Sequence, residues 1–220
     1  MSTTTPTTPQ PARPPPRPRV VGLIGGIGSG KSAVAQLFAE RGARIISGDQ
    51  AGHEALRQPS LRRKIVERWG PGVVGPDGEV DRRRLAAIVF ADPTERRVLE
   101  EWVFPWIRQR LEAEIAAAVA DPAVPLVIVD AAVMLEARWD SVCDAIIYVH
   151  APRALRLKRL AEHRGWSEAE VLARERAQWP LAEKVARADW VVDNSGGRDE
   201  LARQVDDLLR LWAVAPTNRP

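Results

Sequence analysis

The stretch G-G-I-G-S-G-K-S, residues 25–32, matches the complete pattern G-x-x-x-x-G-K-S. The apolar run V-V-G-L-I precedes it at 20–24 and a helix-favouring run follows it at 33–41, which is the strand–loop–helix context that a phosphate-binding loop requires. Glycines let such a loop wrap tightly, so that backbone N–H groups and the start of a helix face phosphate oxygens. The sequence therefore predicts a nucleotide site formed by Gly25, Gly26, Ile27, Gly28, Ser29, Gly30, Lys31, Ser32 and Ala33.

Two side chains of this loop have expected roles of their own. Lys31 is expected to reach the β- and γ-phosphates, and the Ser32 hydroxyl to hold Mg²⁺. The chain has 28 Arg and four Lys, so the lysine at the motif position does not follow from composition. A glycine-rich turn without a ligand is the alternative interpretation. Such a loop predicts a nucleotide site and leaves the reaction open.

Composition and charge narrow the class of protein. The chain has 220 residues, 45% of them hydrophobic and 28% charged, as expected for a soluble globular protein. The single cysteine, Cys143, excludes an internal disulfide and favours a reducing, cytoplasmic compartment. Residues 1–19 hold three Arg and no acid, whereas the remainder has 29 basic and 29 acidic residues. We therefore expect no nucleic-acid partner and, because no long apolar run occurs, no membrane segment; the oligomeric state stays open.

The pattern along the chain predicts an α/β fold. Residues 1–19 contain seven prolines and are expected to be a disordered tail, with a transit peptide as the alternative. Short apolar strands are expected at 20–24, 43–47, 126–130, 145–149 and 190–192, with helices between them. This alternation indicates a parallel sheet covered by helices on both faces. The interval 51–124 is helical in pattern and indicates an insertion, with Pro105 as a candidate helix break.

Two acids follow predicted strands, at the end of a parallel sheet where ligands bind. Asp49 follows the second strand and is suited to accept a proton from an attacking hydroxyl; the alternative is an N-cap of the next helix. Asp130 ends the strand L-V-I-V-D and is typical of an acid that holds Mg²⁺ beside a phosphate loop. An exposed acid at a strand end is the alternative for Asp130. Glu136 is a weaker candidate for the same region.

Arginines are concentrated in the interval 153–176, which favours a lid that brings guanidinium groups to phosphate. A solvated basic face explains most of them, and we expect one to three to contact phosphate. The histidines and Cys143 have no metal-ligand spacing, which argues against a zinc site. Tryptophans of the helical insertion are candidates for a ring-binding pocket, with core packing as the alternative: Trp69, Trp102 and Trp106.

At this point the chain resembles the dephospho-coenzyme A kinase family over residues 20 to about 210. The resemblance rests on segments that occur in order, including G-L-I-G-G-I-G-S-G-K-S at 22–32, S-G-D-Q-A-G-H-E at 47–54, D-G-E-V-D-R at 77–82, V-D-A-A-V-M-L-E at 129–136 and A-D-W-V-V-D-N-S-G at 188–196. It implies phosphorylation of the ribose 3′-hydroxyl of dephospho-CoA by ATP with Mg²⁺, which gives CoA and ADP. The implied fold is a P-loop NTPase three-layer sandwich with a nucleotide core (20–50, 125–150 and 186–214), a helical substrate domain (51–124) and a lid (151–185).

The resemblance also implies residue roles. Asp49 corresponds to the catalytic base, which acts with Lys31 and the lid residue Arg159. Arg174 corresponds to a second lid arginine, and the segment with Asn194 and Gly196 lies near the adenine. Another nucleoside or small-molecule kinase, or a nucleotide-binding protein without kinase activity, remains the alternative.

Departures from the family pattern concern the acceptor side and the lid more than phosphate binding. The family's D-x-D is Ser47-Gly48-Asp49 here, and its His-Pro is Phe104-Pro105. Its D-x-P-L-L is D-A-A-V-M at 130–134, and its lid Arg-Asp is His163-Arg164. These changes leave open an altered substrate preference or a reduced rate.

Overall fold

A five-stranded parallel sheet forms the centre of the fold in the computed structural model, which describes residues 18–214. The predicted tail lies outside the described residues except for its last two positions. The strand order is β2-β3-β1-β4-β5. The strands are β1 (Val20–Gly25), β2 (Arg44–Ser47), β3 (Val127–Asp130), β4 (Ala145–His150) and β5 (Trp190–Asp193). The predicted α/β fold with a parallel sheet is confirmed.

The central strand β1 positions the phosphate loop. All six residues of β1 are buried, which explains why its sequence is continuously apolar rather than alternating. Leu23 of β1 and Ser47 of β2 are both in register with Asp130 of β3. The carboxyl ends of these three strands therefore meet at one edge, directly below the loop that follows β1.

Nine α-helices surround the sheet within the described residues. Local signals begin several of them: Asp81 caps one helix through the N–H groups of Arg83 and Arg84, and Asp92 caps the next through Thr94. The helices are α1 (Lys31–Ala39), α2 (Gly48–Leu56), α3 (Pro59–Trp69), α4 (Arg82–Ala91), α5 (Pro93–Ala120), α6 (Arg153–Arg164), α7 (Glu168–Glu175), α8 (Leu181–Arg187) and α9 (Arg198–Leu211).

The hydrophobic core has one layer on each face of the sheet. On one face, α1 and α9 pack through residues such as Phe38 and Trp212, whose rings stack at 6.2 Å. On the other face, α2 and α5 pack through residues such as Ile107 and Leu111. A smaller cluster joins α3 to α4. The result is three layers, helix–sheet–helix, and within the described residues no helix has the length and apolarity needed to cross a bilayer.

The expected helix boundaries were wrong at three places. Helix α5 runs unbroken through Pro105, because buried residues on both sides of it, such as Val103 and Ile107, pack on the same core. Within the interval expected to be helical from residue 51 onwards, α2 ends at Leu56 and α3 begins at Pro59, since a residue before proline disfavours helical geometry. Helix α8, which begins after Pro180, was not predicted.

Candidate active site

The loop between β1 and α1 has the backbone that its glycines predict. Gly28 and Gly30 have φ values of 77° and 89°, in the left-handed region that favours glycine. A Cβ at Gly30 would also lie 2.1 Å from the Asn194 amide nitrogen. Helix α1 starts immediately after Gly30, whose carbonyl accepts from the N–H groups of Ala33 and Val34. The N-terminus of α1 is therefore presented at the edge of the sheet.

Side chains outside the loop hold its outward carbonyls. Arg156 donates to the Ile27 carbonyl at 3.0 Å and is itself paired with Glu175 at 2.8 Å. Asn194 donates to the Ser29 carbonyl at 2.8 Å. Arg159 donates to the carbonyls of Ser29 and Asn194 at 3.4 and 2.9 Å. These bonds fix the loop through its own carbonyl oxygens.

A cavity of about 280 Å³ lies in front of the loop. Lys31 and Ser32 line it together with Asp49, Asp130 and Arg159, so the structure brings these sequence-predicted residues into one place. His163 and Arg164, at the end of α6, line the same cavity. We call this space the phosphate cavity.

Three predicted nucleotide-binding residues outside the loop do not line the phosphate cavity. Arg174 packs its guanidinium over Trp166 at 4.0 Å and over Phe90 at 5.0 Å. Asn194 contacts the Ser29 carbonyl of the loop, and Gly196 lies beside Glu200 near the start of α9.

The charged groups of the phosphate cavity perturb one another. The Ser32 hydroxyl donates to Asp130 at 3.0 Å, and Asp130 is partly buried rather than an exposed acid at a strand end. Burial raises the pKa of Asp130, the nearby Lys31 charge and the Ser32 bond oppose this, and Asp49 adds to it. Burial also lowers the pKa of Lys31; Asp130 and Asp49 oppose this shift, and the positive charges of Lys184 and Arg164 increase it.

Asp49 is exposed at the phosphate cavity, in the first turn of α2. The Ser47 hydroxyl, not Asp49, caps this helix by accepting from the Gln50 N–H at 3.1 Å. The alternative role of Asp49 as the N-cap is therefore wrong. Its carboxylate is left accessible to a ligand.

A second, mainly apolar cavity of about 360 Å³ adjoins the phosphate cavity. Helices α4 and α5 supply most of its apolar wall, which includes Val89 and Phe104, and α7 contributes Arg174. The two cavities share Ile27, Ala132 and Arg164. We call this space the apolar cavity, and its position allows a ligand to extend from the phosphate loop to the helical insertion.

The tryptophans chosen as candidates for a ring-binding pocket do not line the apolar cavity. Trp69 and Trp102 pack against each other at 5.6 Å in the cluster between α3 and α4. Trp106 packs against the core below the sheet. Trp166, which the sequence analysis did not single out, lines the apolar cavity instead.

Cys143 and His53 line neither the phosphate cavity nor the apolar cavity. Burial raises the pKa of the Cys143 thiol to about 12, with Asp140 and Asp144 adding to the shift, so the nucleophilic thiolate is disfavoured. His53 contacts the Arg82 guanidinium. Across residues 18–214, no group of three His, Cys, Asp or Glu side chains is placed to hold a metal ion.

Comparison with known proteins decides the family. The dephospho-CoA kinase family profile matches residues 19–200. The dephospho-CoA kinase of Geobacillus kaustophilus is 40% identical over 193 residues, which cover 87% of this chain and 96% of that one. The enzyme of Anaeromyxobacter dehalogenans is also 40% identical over 193 residues, covering 87% and 90%. The chain belongs to the dephospho-CoA kinase family.

Solved structures share the fold of this chain. A crystal structure from Thermus thermophilus is 35% identical with a TM-score of 0.72, covering 89% of this chain and 98% of that one. Dephospho-CoA kinase from Campylobacter jejuni has a TM-score of 0.59 at 20% identity, covering 88% and 97%, and supports the fold alone. As a dephospho-CoA kinase, the chain is a phosphotransferase of the last step of coenzyme A biosynthesis, a function that implies ATP and dephospho-CoA as substrates.

The sequence analysis of this dephospho-CoA kinase missed one buried polar group behind the two cavities. Lys184 of α8 is 2% exposed and lies 3.0 Å from Glu136. Glu136 was a weak candidate, and Lys184 was not singled out. The available signal was composition, because lysine is rare in this arginine-rich chain and Lys184 is one of only four.

Proposed function

We propose that the phosphate cavity binds the β- and γ-phosphates of MgATP and that Asp49 accepts the proton of the ribose 3′-hydroxyl of dephospho-CoA. The observation that supports this most directly is that Lys31, Ser32, Asp49 and Asp130 line one cavity. Phosphoryl transfer depends on positioning and on neutralising charge, and these residues supply both kinds of group.

On the donor side, the loop N–H groups and the α1 N-terminus bind the phosphate oxygens, and Lys31 places its ammonium on the β- and γ-phosphates. Because Lys31 is partly buried at the cavity, its charge is less well solvated than in free solution before ATP arrives and interacts strongly with the phosphates. Arg159 is held by two backbone carbonyls and adds a fixed positive charge at the same cavity.

The donor atoms of the phosphate cavity fit Mg²⁺. Ser32 and Asp130 offer a hydroxyl and a carboxylate oxygen whose hydrogen bond of 3.0 Å places them side by side. Mg²⁺ prefers oxygen ligands and commonly uses one or two protein groups together with substrate phosphates and water. When bound, it neutralises charge on the β- and γ-oxygens. Burial raises the pKa of Asp130, a shift that a cation beside its carboxylate would reverse.

On the acceptor side, we place dephospho-CoA along the apolar cavity with its ribose at Asp49. Arg164 lines both cavities and lies where the reacting groups of donor and acceptor meet. The Asp49 carboxylate orients the 3′-hydroxyl and takes its proton as the oxygen attacks the γ-phosphorus, while ADP leaves with the bridging oxygen.

The remaining expectations are retained as parts of the proposal. Arg174 acts as a lid arginine only after leaving Trp166, and the segment with Asn194 and Gly196 borders the adenine. The division into a nucleotide core (20–50, 125–150 and 186–214), a helical substrate domain (51–124) and a lid (151–185) is also a proposal. So is a cytoplasmic location.

The test is ADP and CoA formation by the purified protein with ATP and Mg²⁺, with and without dephospho-CoA, and with product masses determined. We expect ADP and CoA in equal amounts, and only when the acceptor is present. ADP that forms independently of dephospho-CoA, or ATP binding without turnover, would contradict the proposal and favour another acceptor or a nucleotide-binding role. Omitting Mg²⁺ serves as the control for the metal requirement.

A further inference from the structure

Lys184 is a buried charge that the proposed reaction does not use. Among residues 18–214, Arg156 and Lys184 are the charged residues that are buried, and Arg156 already holds the phosphate loop. The Lys184 ammonium lies 3.0 Å from a Glu136 oxygen and donates to the Gln178 side-chain oxygen at 3.1 Å. Burying an ion pair rarely adds net stability, so its presence calls for another explanation.

The bonds continue from Lys184 to the wall between the two cavities. Gln178 donates from its amide nitrogen to the Ala132 carbonyl at 3.1 Å. Because Lys184 occupies the oxygen of the same amide, it fixes which end of Gln178 faces Ala132. Glu136 also accepts from the Trp179 N–H at 2.7 Å. The segment that ends the proposed lid is thus tied twice to the chain that follows β3.

These bonds matter for the site because they hold the backbone of Ala132, which borders both cavities. Ala132 follows Asp130 by two residues and lines both the phosphate cavity and the apolar cavity. Gln178 lines the apolar cavity only. A shift of the Ala132 backbone would therefore change the surface along which a ligand passes from one cavity to the other.

We propose that Lys184, Glu136 and Gln178 are positioning residues that fix the Ala132 backbone and thereby the wall on which dephospho-CoA lies. This inference rests on the proposed placement of the acceptor in the apolar cavity. The bonds reach the acceptor through Gln178 and Ala132, whereas the phosphate loop is held by Arg156, Arg159 and Asn194. Loss of the network should therefore weaken acceptor binding much more than ATP binding.

The test compares Lys184→Met, Gln178→Ala and the double variant, with the exposed-lysine variant Lys158→Met as the matched control. Each protein is measured for KM and kcat with dephospho-CoA, for ATP affinity by calorimetry and for Tm. We expect each single variant to raise the KM for dephospho-CoA about fivefold to tenfold, the effect of one lost hydrogen bond. The KM of the double variant should be no higher than that of the more impaired single variant, because both changes release the Ala132 carbonyl. ATP affinity should stay within about twofold of the wild type, and Lys158→Met should match the wild type throughout.

Several outcomes would overturn the inference. These are a lowered Tm with an unchanged KM, additive effects of the two changes, or an equal loss of ATP affinity. If Lys184→Met fails to fold, because Glu136 is left buried without its partner, Gln178→Ala decides alone, since it leaves the ion pair in place. A wild-type protein without dephospho-CoA turnover would be a separate result that refutes the proposed function and removes the basis of this inference.

Discussion

The phosphate cavity and the apolar cavity are adjacent but are built in different ways. The phosphate cavity is dominated by one continuous loop and by side chains at the ends of neighbouring strands. The apolar cavity is assembled from α4 and α5 together with Ala132, Val133 and side chains between Arg164 and Gln178, which lie in separate parts of the sequence. A site made mainly of backbone groups keeps its shape when neighbouring side chains are substituted. A site made of packed side chains changes shape with each substitution in its wall. Of the departures from the family pattern, Phe104 lies on the apolar cavity, Ala132 and Arg164 lie on both cavities, and His163 lies on the phosphate cavity.

Replacing the proposed base, Asp49, is expected to have the largest effect on activity and to separate catalysis from ATP binding. We expect Asp49→Asn to lower kcat about 10²- to 10⁴-fold, because proton acceptance is lost while the phosphate loop is unchanged. ATP affinity, measured by calorimetry, should equal that of the wild type. Asp199→Asn, an exposed acid in the first turn of α9, is the control. Near-normal turnover of Asp49→Asn would show that Asp49 is not the base and that the acceptor hydroxyl does not lie beside it.

The pH dependence of magnesium activation tests the phosphate cavity itself. Since burial raises the pKa of Asp130, its carboxylate takes up a proton at a higher pH than the ordinary value of about 3.9. Metal binding needs the ionised form, so apparent Mg²⁺ affinity should fall as the pH is lowered towards the raised pKa and recover as the pH rises. The measurement is the Mg²⁺ concentration for half-maximal activity across pH. Asp130→Asn should bind Mg²⁺ weakly without this pH dependence, and a wild-type response unaffected by pH would refute the assignment.

Removing the Asn194 side chain, which holds the phosphate loop through the Ser29 carbonyl, should give a smaller effect that is limited to ATP binding. Asn194→Ala removes the bond to the Ser29 carbonyl, and we expect ATP affinity to fall up to about tenfold. The KM for dephospho-CoA should be unchanged, and the exposed neighbour variant Ser195→Ala should behave like the wild type. Measuring GTP beside ATP distinguishes two roles of Asn194. If Asn194 only supports the loop, the affinities for ATP and GTP fall equally, whereas if it contacts the adenine, only the affinity for ATP falls.

The smallest expected effect is on the apolar cavity. Phe104 packs edge-on against Trp139 at 5.4 Å, and Phe104→His restores the residue type of the family. We expect the Tm to fall by a few degrees, since such an aromatic contact contributes about 0.5–1.5 kcal/mol. The KM for dephospho-CoA should fall a few-fold while ATP affinity stays constant. An unchanged KM would mean that Phe104 serves packing alone and that this part of the apolar wall does not contact the acceptor.

The same division explains what could be predicted from the sequence. Lys31 and Ser32 line the phosphate cavity as the motif predicts, because one local motif dictates strand, loop and helix. Asp49 and Asp130 were brought to them because the carboxyl ends of parallel strands share an edge. The arrangement of Trp166 and Arg174 was not predicted, since it depends on how α4 and α7 meet. Lys184 was missed for a similar reason, because periodicity does not show that a lysine is buried among polar partners.

The scarcity of lysine has a practical consequence for labelling. The four lysines divide evenly: Lys64 and Lys158 are exposed, Lys184 is buried, and Lys31 lies in the phosphate cavity with a lowered pKa. Exposure favours Lys64 and Lys158 towards a reagent that acylates amines in free solution, whereas the lowered pKa of Lys31 leaves more of its amine in the reactive neutral form. An amine-reactive ATP analogue would deliver its acyl group to Lys31, and peptide mass mapping would separate the two patterns. The unmodified chain thus carries its own chemical reporter of nucleotide occupancy.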